Sequence, residues 1–197
     1  KDEIVPVSIP QRRGPPVIFD TDEVPQRETS LEAMARLAPA FKEGGTVTAG
    51  NSAKISDGAA AVVVMSREKA NELGLLPMAR IVAHGSAGID TKIVVMAPIK
   101  SIPKVLKKAG LNIKDIDLHE INEAFCASTV GAIRELGIDE SIVNVKGGAV
   151  SQGHPVGASG AIRLITLLYE MKARNAKRGM VSLCLGGGEA VTMIVER

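Results

Sequence analysis

From Met78 to Arg197 short apolar runs alternate with helix-periodic segments, and the chain closes on two such runs joined by Gly186-Gly187-Gly188-Glu189. That alternation leaves few folds open, because parallel strands need helical crossovers while a terminal hairpin adds antiparallel pairing. The spacing predicts strands over 78–84, 116–121, 142–145, 180–185 and 190–196. It predicts helices from Pro98 to Gly110, over 122–136 and over 158–173. Proline suits the first turn of a helix, where its missing N–H has no partner to lose, and Gly110 and Gly137 suit the left-handed stop at a helix end. The expected fold class is α/β, a mixed β-sheet flanked by helices. Aromatic residues make up only 2% of the chain. The core must therefore come from Ala, Val, Ile and Leu, which pack well in helix-on-sheet layers.

The first third is less regular. Residues 1–29 are polar and proline-punctuated, with room for a short edge strand in 4–10. Ser30 reads as the cap of a helix whose apolar face is Leu31, Met34, Leu37 and Phe41, limited by Pro39. Residues 44–58 read as loop, and Ala59 to Met65 as a strand buried on both faces. Ser66 caps a short helix that ends before Gly74.

Charge and cysteine usage exclude several roles. A net charge of +2 with dispersed basic residues supports neither a nucleic-acid surface nor a polybasic membrane anchor. The run 59–65 is too short to span a bilayer, and from the charged first residues no signal peptide is expected. Cys126 and Cys184 are too few for a secreted disulfide framework, so a reducing compartment is expected, cytoplasmic first, with mitochondrial and peroxisomal locations open. No metal site is expected.

Three turn segments can carry chemistry. Gly147–Gly160 is glycine-rich, holds His154 and runs into a helix start whose free N–H groups can meet an oxygen ligand; the bland alternative is a flexible turn. Cys184 ends a strand before three glycines, where a thiol can share a turn with the N–H groups of Gly186 and Gly187, or can be a small buried hydrophobe. Asn122 and Glu123 open a predicted helix, so a cap and a dipole partner explain them, unless Asn122 orients a water or carbonyl. Cys126 reads as core packing. Asn122, His154 and Cys184 all lie at or just beyond strand ends, the edge where open α/β sheets bind ligands. An amide, an imidazole and a thiol meeting there suit acyl transfer or carbanion chemistry next to a thioester.

At these segments, NEAF (Asn122–Phe125), GGAVSQGHPVGASG (Gly147–Gly160) and CLGGG (Cys184–Gly188), the chain resembles the thiolase family. The resemblance covers the C-terminal half of a thiolase. It implies the end of a loop domain in 1–55, the last portion of an N-terminal core domain in 56–75 and a complete C-terminal core domain in 76–197. It implies Claisen condensation of two acyl-CoA molecules or thiolysis of 3-ketoacyl-CoA, with coenzyme A as substrate and no permanently bound cofactor. His154 matches the histidine that activates a nucleophilic cysteine, Asn122 the residue holding an oxyanion-hole water, Cys184 the acid/base thiol, and Gly186 an N–H donor of the second oxyanion hole. Met34, Leu37, Phe41, Ala49, Ser52, Ala53, Ala124 and Phe125 resemble the wall that holds pantetheine.

Some positions depart from the family pattern. Ala53 stands where a serine meets pantetheine, with Ser52 beside it and Lys54 following; around Val94 the methionine that often lines the family's acyl pocket is replaced; Glu189-Ala190 stands in place of a smaller, glycine-containing pair. Neither cysteine has the setting of the acylated one, so the nucleophile is expected on an N-terminal half, this chain being either a fragment of a longer enzyme or the partner of a separate chain that carries that half. A homo-oligomer is also expected. A non-catalytic acyl-CoA or lipid-binding module and a carrier-protein-dependent ketosynthase are the alternatives; the latter uses a histidine where Cys184 stands.

Overall fold

The computed structural model describes residues 2–26 and 28–197. In chain order the elements are β1 (Val7–Ile9), β2 (Val17–Phe19), α1 (Leu31–Ala35), α2 (Arg67–Glu72), β3 (Arg80–Gly88), α3 (Pro98–Ala109), β4 (Leu118–Ile121), α4 (Cys126–Leu136), α5 (Ala149–Gln152), α6 (Ser159–Ala173), β5 (Arg178–Leu185) and β6 (Glu189–Glu196). β1 and β2 form a small separate hairpin. The main sheet has the order β3-β6-β5-β4, with β4 parallel to β5 and the other two pairings antiparallel. The expected mixed sheet is what forms.

Helices cover both faces of this sheet, and so every residue of β4 is buried. On one face Ile102, Val105 and Leu106 of α3 pack with Ile121, Met180 and Ile194. On the other, Leu167 and Met171 of α6 pack with Leu118, Val181, Leu183 and Val195. Met180 and Val181 point to opposite layers, as the two-residue period of a strand requires. A chain of buried hydroxyls links the first layer to the sheet: Ser101 meets Thr192 at 2.7 Å, and Thr192 meets Ser182 at 2.9 Å. Pro98 opens α3, and Gly110 and Gly137 end α3 and α4 in the left-handed conformation, as the spacing predicts.

Four expectations are corrected. Residues 59–65 form no strand, and Val63 is 85% exposed, because a β-branched run becomes a strand only against neighbours and both edges of the described sheet lie elsewhere. The helix after Ser30 stops at Ala35, short of Leu37 and Phe41, since the residue before Pro39 is biased out of the helical region. Residues 142–145 make only a single parallel bridge, Val143 to His119, because Asn144 turns left-handed at φ 48°. The helix expected over 122–136 starts at Cys126. The Ser66 cap is as read: its hydroxyl accepts from Lys69 N.

His119 on β4 is 1% exposed, and both its ring nitrogens lack a partner. Burial pushes its pKa down to about 4, so the folded imidazole stays neutral where the unfolded one already holds a proton. The native state then loses stability as pH falls from about 6.5 to about 4, by up to about 3 kcal/mol, and keeps it all above that window. His119→Leu is expected to flatten this acid limb when thermal midpoints are measured from pH 7 to pH 4. A parallel fall in both proteins would contradict the assignment.

Candidate active site

The parallel ladder runs one residue past β4. Asn122 N donates to Ser182 O at 2.9 Å, so Asn122 leaves the sheet in a fixed direction. It is 2% exposed and four residues short of α4, whose cap position is held by Phe125 with no side-chain bond. Asn122 is therefore no helix cap, and Glu123 is no first-turn dipole partner. Asn144 holds the residues on either side of Asn122. Its Oδ1 accepts from Ile121 N at 2.8 Å and its Nδ2 donates to Ile121 O at 2.9 Å, so one side chain does the pairing that a fifth strand would do. The same Nδ2 reaches Glu123 Oε1 at 3.2 Å, while Glu123 Oε2 accepts from Val150 N of α5 at 3.2 Å. Gly148 makes this possible, since a Cβ there would overlap the Glu123 carboxylate.

His154 follows α5 and is gripped on both sides of its ring and at its backbone. Its N–H is shared between Ser56 Oγ, at 2.9 Å, and Lys54 O, at 3.2 Å. Nδ1 lies 2.6 Å from Ser159 Oγ, and that hydroxyl donates its only proton to Pro155 O at 2.9 Å. The hydroxyl must then accept from Nδ1–H, which leaves Nε2 without a proton. Nε2 faces Asn122 Nδ2 at 3.3 Å. Asn122 Oδ1 is buried with no partner. Burial first, and the Arg163 guanidinium second, hold the imidazole below its usual pKa and so neutral. The pair thus offers an Nε2 lone pair held only by the long 3.3 Å contact from the Asn122 amide, and a buried amide oxygen awaiting a donor.

Cys184 lies on β5 two residues beyond Ser182, about 7 Å along the strand from the point where Asn122 docks. It is half-buried, and burial pushes its thiol pKa up, so the proton stays on sulfur at neutral pH. Gly186, itself exposed, opens the three-residue turn between β5 and β6, in which Gly188 is buried. Cys126, read as core, is the first residue of α4 and only half-buried; its pKa is raised by burial and then by Glu123.

The remaining residues expected at the site form a wall beside Asn122. Residues 51–53 pair with 124–126: Ala53 N donates to Ala124 O, Cys126 N donates to Asn51 O, and Ser52 bridges Phe125. Phe41 meets Phe125 edge to face, with ring centroids 5.7 Å apart. Met34 and Leu37 close over Gly50, where a Cβ would lie 2.8 Å from Leu37 Cδ1. Ala49 sits in the exposed turn before Gly50. Sequence reasoning missed Ser56, Asn144 and Ser159. Ser159 lies only five residues past His154, at the first position of α6, so its pairing is local; the partners of Ser56 and Asn144 lie far off in sequence.

Two family models match, the thiolase C-terminal domain over residues 75–197 and the thiolase N-terminal domain over residues 1–68. The acetyl-CoA acetyltransferase of Thiocystis violacea is 57% identical over 196 residues, covering 100% of this chain and 50% of that protein. The crystal structure of the Bacillus anthracis acetyl-CoA acetyltransferase superposes with a TM-score of 0.96 at 45% identity, over 99% of this chain and 49% of that one. Human mitochondrial 3-ketoacyl-CoA thiolase in complex with CoA gives a TM-score of 0.85 at 38% identity, over 91% of this chain and 45% of that one. The chain spans about half the length of the curated relatives it matches.

Ser159→Ala removes the acceptor that fixes the imidazole tautomer. In ¹⁵N NMR of the 197-residue chain, His154 is expected to show a single Nδ1–H tautomer, and the variant a mixture, at a stability cost of about 1–3 kcal/mol for the orphaned N–H. An unchanged ring signature in the variant would contradict the assignment.

Proposed function

This chain belongs to the thiolase family, and from that premise we propose that it supplies the C-terminal half of an enzyme that condenses two acyl-CoA molecules or cleaves 3-ketoacyl-CoA with CoA. The observation that carries this reading is the Asn122–His154 pair, with Nε2 unprotonated and Asn122 Oδ1 buried and unpartnered. A neutral imidazole can take the proton of a thiol brought to it, here the cysteine of an N-terminal half, in the same chain or a separate one. The thiolate then attacks the acyl-CoA carbonyl. The resulting oxyanion accepts from the imidazolium and from a water held by Asn122, and on collapse the imidazolium gives its proton to CoA, which leaves as the thiol.

Cys184 supplies the second half-reaction. Its minor thiolate form, reached by releasing the thiol proton to water, removes the α-proton of a second acyl-CoA, and the carbanion attacks the acyl-enzyme carbonyl. The acylated cysteine leaves, and 3-ketoacyl-CoA forms. In the reverse direction the Cys184 thiol, protonated at neutral pH, returns that proton. Gly186 N–H stabilises the enolate oxygen. The wall from Met34 to Ala53 with Ala124 and Phe125 takes the pantetheine arm, and Ala53 leaves it one hydroxyl contact fewer than the family pattern has. The CoA-bound human relative supports this ligand class.

The test is thiolysis of acetoacetyl-CoA by the enzyme assembled with its N-terminal half. His154→Ala is expected to slow formation of the acyl-enzyme by at least about a hundredfold. Cys184→Ser is expected to leave acylation intact and to stall condensation. A normal acylation burst in the first variant, or unchanged condensation in the second, would overturn the reading.

A further inference from the structure

Arg163 is 1% exposed, the largest fully buried side chain among the described residues, and the mechanism above does not use it. Its position on α6 is four residues after Ser159, so both side chains leave the same face of the helix. Ser159 meets the imidazole of His154. Arg163 reaches beneath it. One guanidinium nitrogen donates to Glu120 Oε2 at 3.5 Å and to Gly147 O at 3.2 Å, and the other donates to Gln152 Oε1. Glu120 lies two residues before Asn122 on β4, and Gln152 lies two residues before His154 at the end of α5. Gly147 opens the turn that leads into α5.

We infer that Arg163 is a positioning residue: a single planar, three-way donor that grips the roots of both site segments and so sets the distance between Asn122 and His154. The inference rests on the function proposed above. Side chains two apart on a strand share a face, so a shift of Glu120 carries directly to Asn122. A buried guanidinium needs several acceptors whatever its role, and what marks this one is where they lie. Here the donors are divided between the two segments that must meet, and Gln152 is itself anchored by donating to Lys146 O at 3.1 Å. Burial raises the Glu120 carboxyl to about 8, with Arg163 pulling the other way and Glu123, Glu3 and Glu170 adding to the rise. Glu170 is taken by Lys146 at 2.9 Å and Arg174 at 3.0 Å. Glu3 is taken by Thr166 at 2.7 Å. A fork of donors, rather than a point charge, is what this site uses, so lysine cannot replace it.

Two variants test this: Arg163→Lys, which keeps the charge and loses the fork, and Gln152→Met, which cuts one arm and leaves the buried Glu120–Arg163 pair in place. In the 197-residue chain the Asn122 side-chain amide is expected to be protected from hydrogen exchange by its bond to His154, and to lose at least about tenfold of that protection in either variant. In the assembled enzyme kcat for thiolysis is expected to fall by about tenfold or more while KM for CoA stays within about twofold, because misplaced groups cost rate rather than binding. If folded Gln152→Met keeps both the amide protection and the parental kcat, the inference is overturned, whether or not Arg163→Lys folds. Should the parent enzyme show no thiolysis, the functional reading fails, and the amide protection alone decides the role of Arg163.

Discussion

The parallel pairing of β4 with β5 is the constraint from which the site follows. It ends on the bond from Asn122 N to Ser182 O, so the position of Asn122 is dictated by a ladder of main-chain bonds buried on both sides. Cys184 lies two residues further along the same β5. The amide and the thiol therefore share one rigid reference frame, and only the histidine must be delivered to it by a loop. Strands hold catalytic groups more closely than loops do. This explains why so many bonds are spent on the segment 147–159 and so few on the turn at Gly186.

The loop that delivers His154 is stitched from outside as well as beneath. Residues 51–56 run between the two site segments, paired with 124–126 on one side and holding the backbone of His154 through Lys54 and Ser56 on the other. That strap comes from the irregular first third of the chain. The same stretch carries Ser52 and Ala53 of the proposed pantetheine wall, so ligand contact and histidine placement are coupled through a few residues of extended backbone.

The mixed sheet, the flanking helices and their glycine stops were legible in the sequence, because period and punctuation are local properties. The grouping of Asn122 with His154 was also legible, through the pattern of motifs at strand ends. The failures are instructive in physical terms. Residues 59–65 have strand chemistry and no strand, since pairing is supplied by neighbours rather than by β-branched side chains. Asn122 looked like a cap because an asparagine after a strand and before a helix usually is one, and only the later start at Cys126 frees its side chain. Asn144 was invisible because its work is to imitate backbone, with its amide taking both bonds of Ile121 across 23 residues of sequence. Arg163 drew no reading from the sequence, because its burial depends on acceptors from three other segments.

The central claim is that Asn122 and His154 act as one unit on the reacting thioester oxygen. A double-mutant cycle on acylation of the assembled enzyme by acetyl-CoA, using Asn122→Ala, His154→Ala and the pair, tests it most directly. The account predicts that the double variant is little slower than His154→Ala alone, because each group is useful only while the other holds it. Losses that simply multiply would show two independent residues and contradict the account.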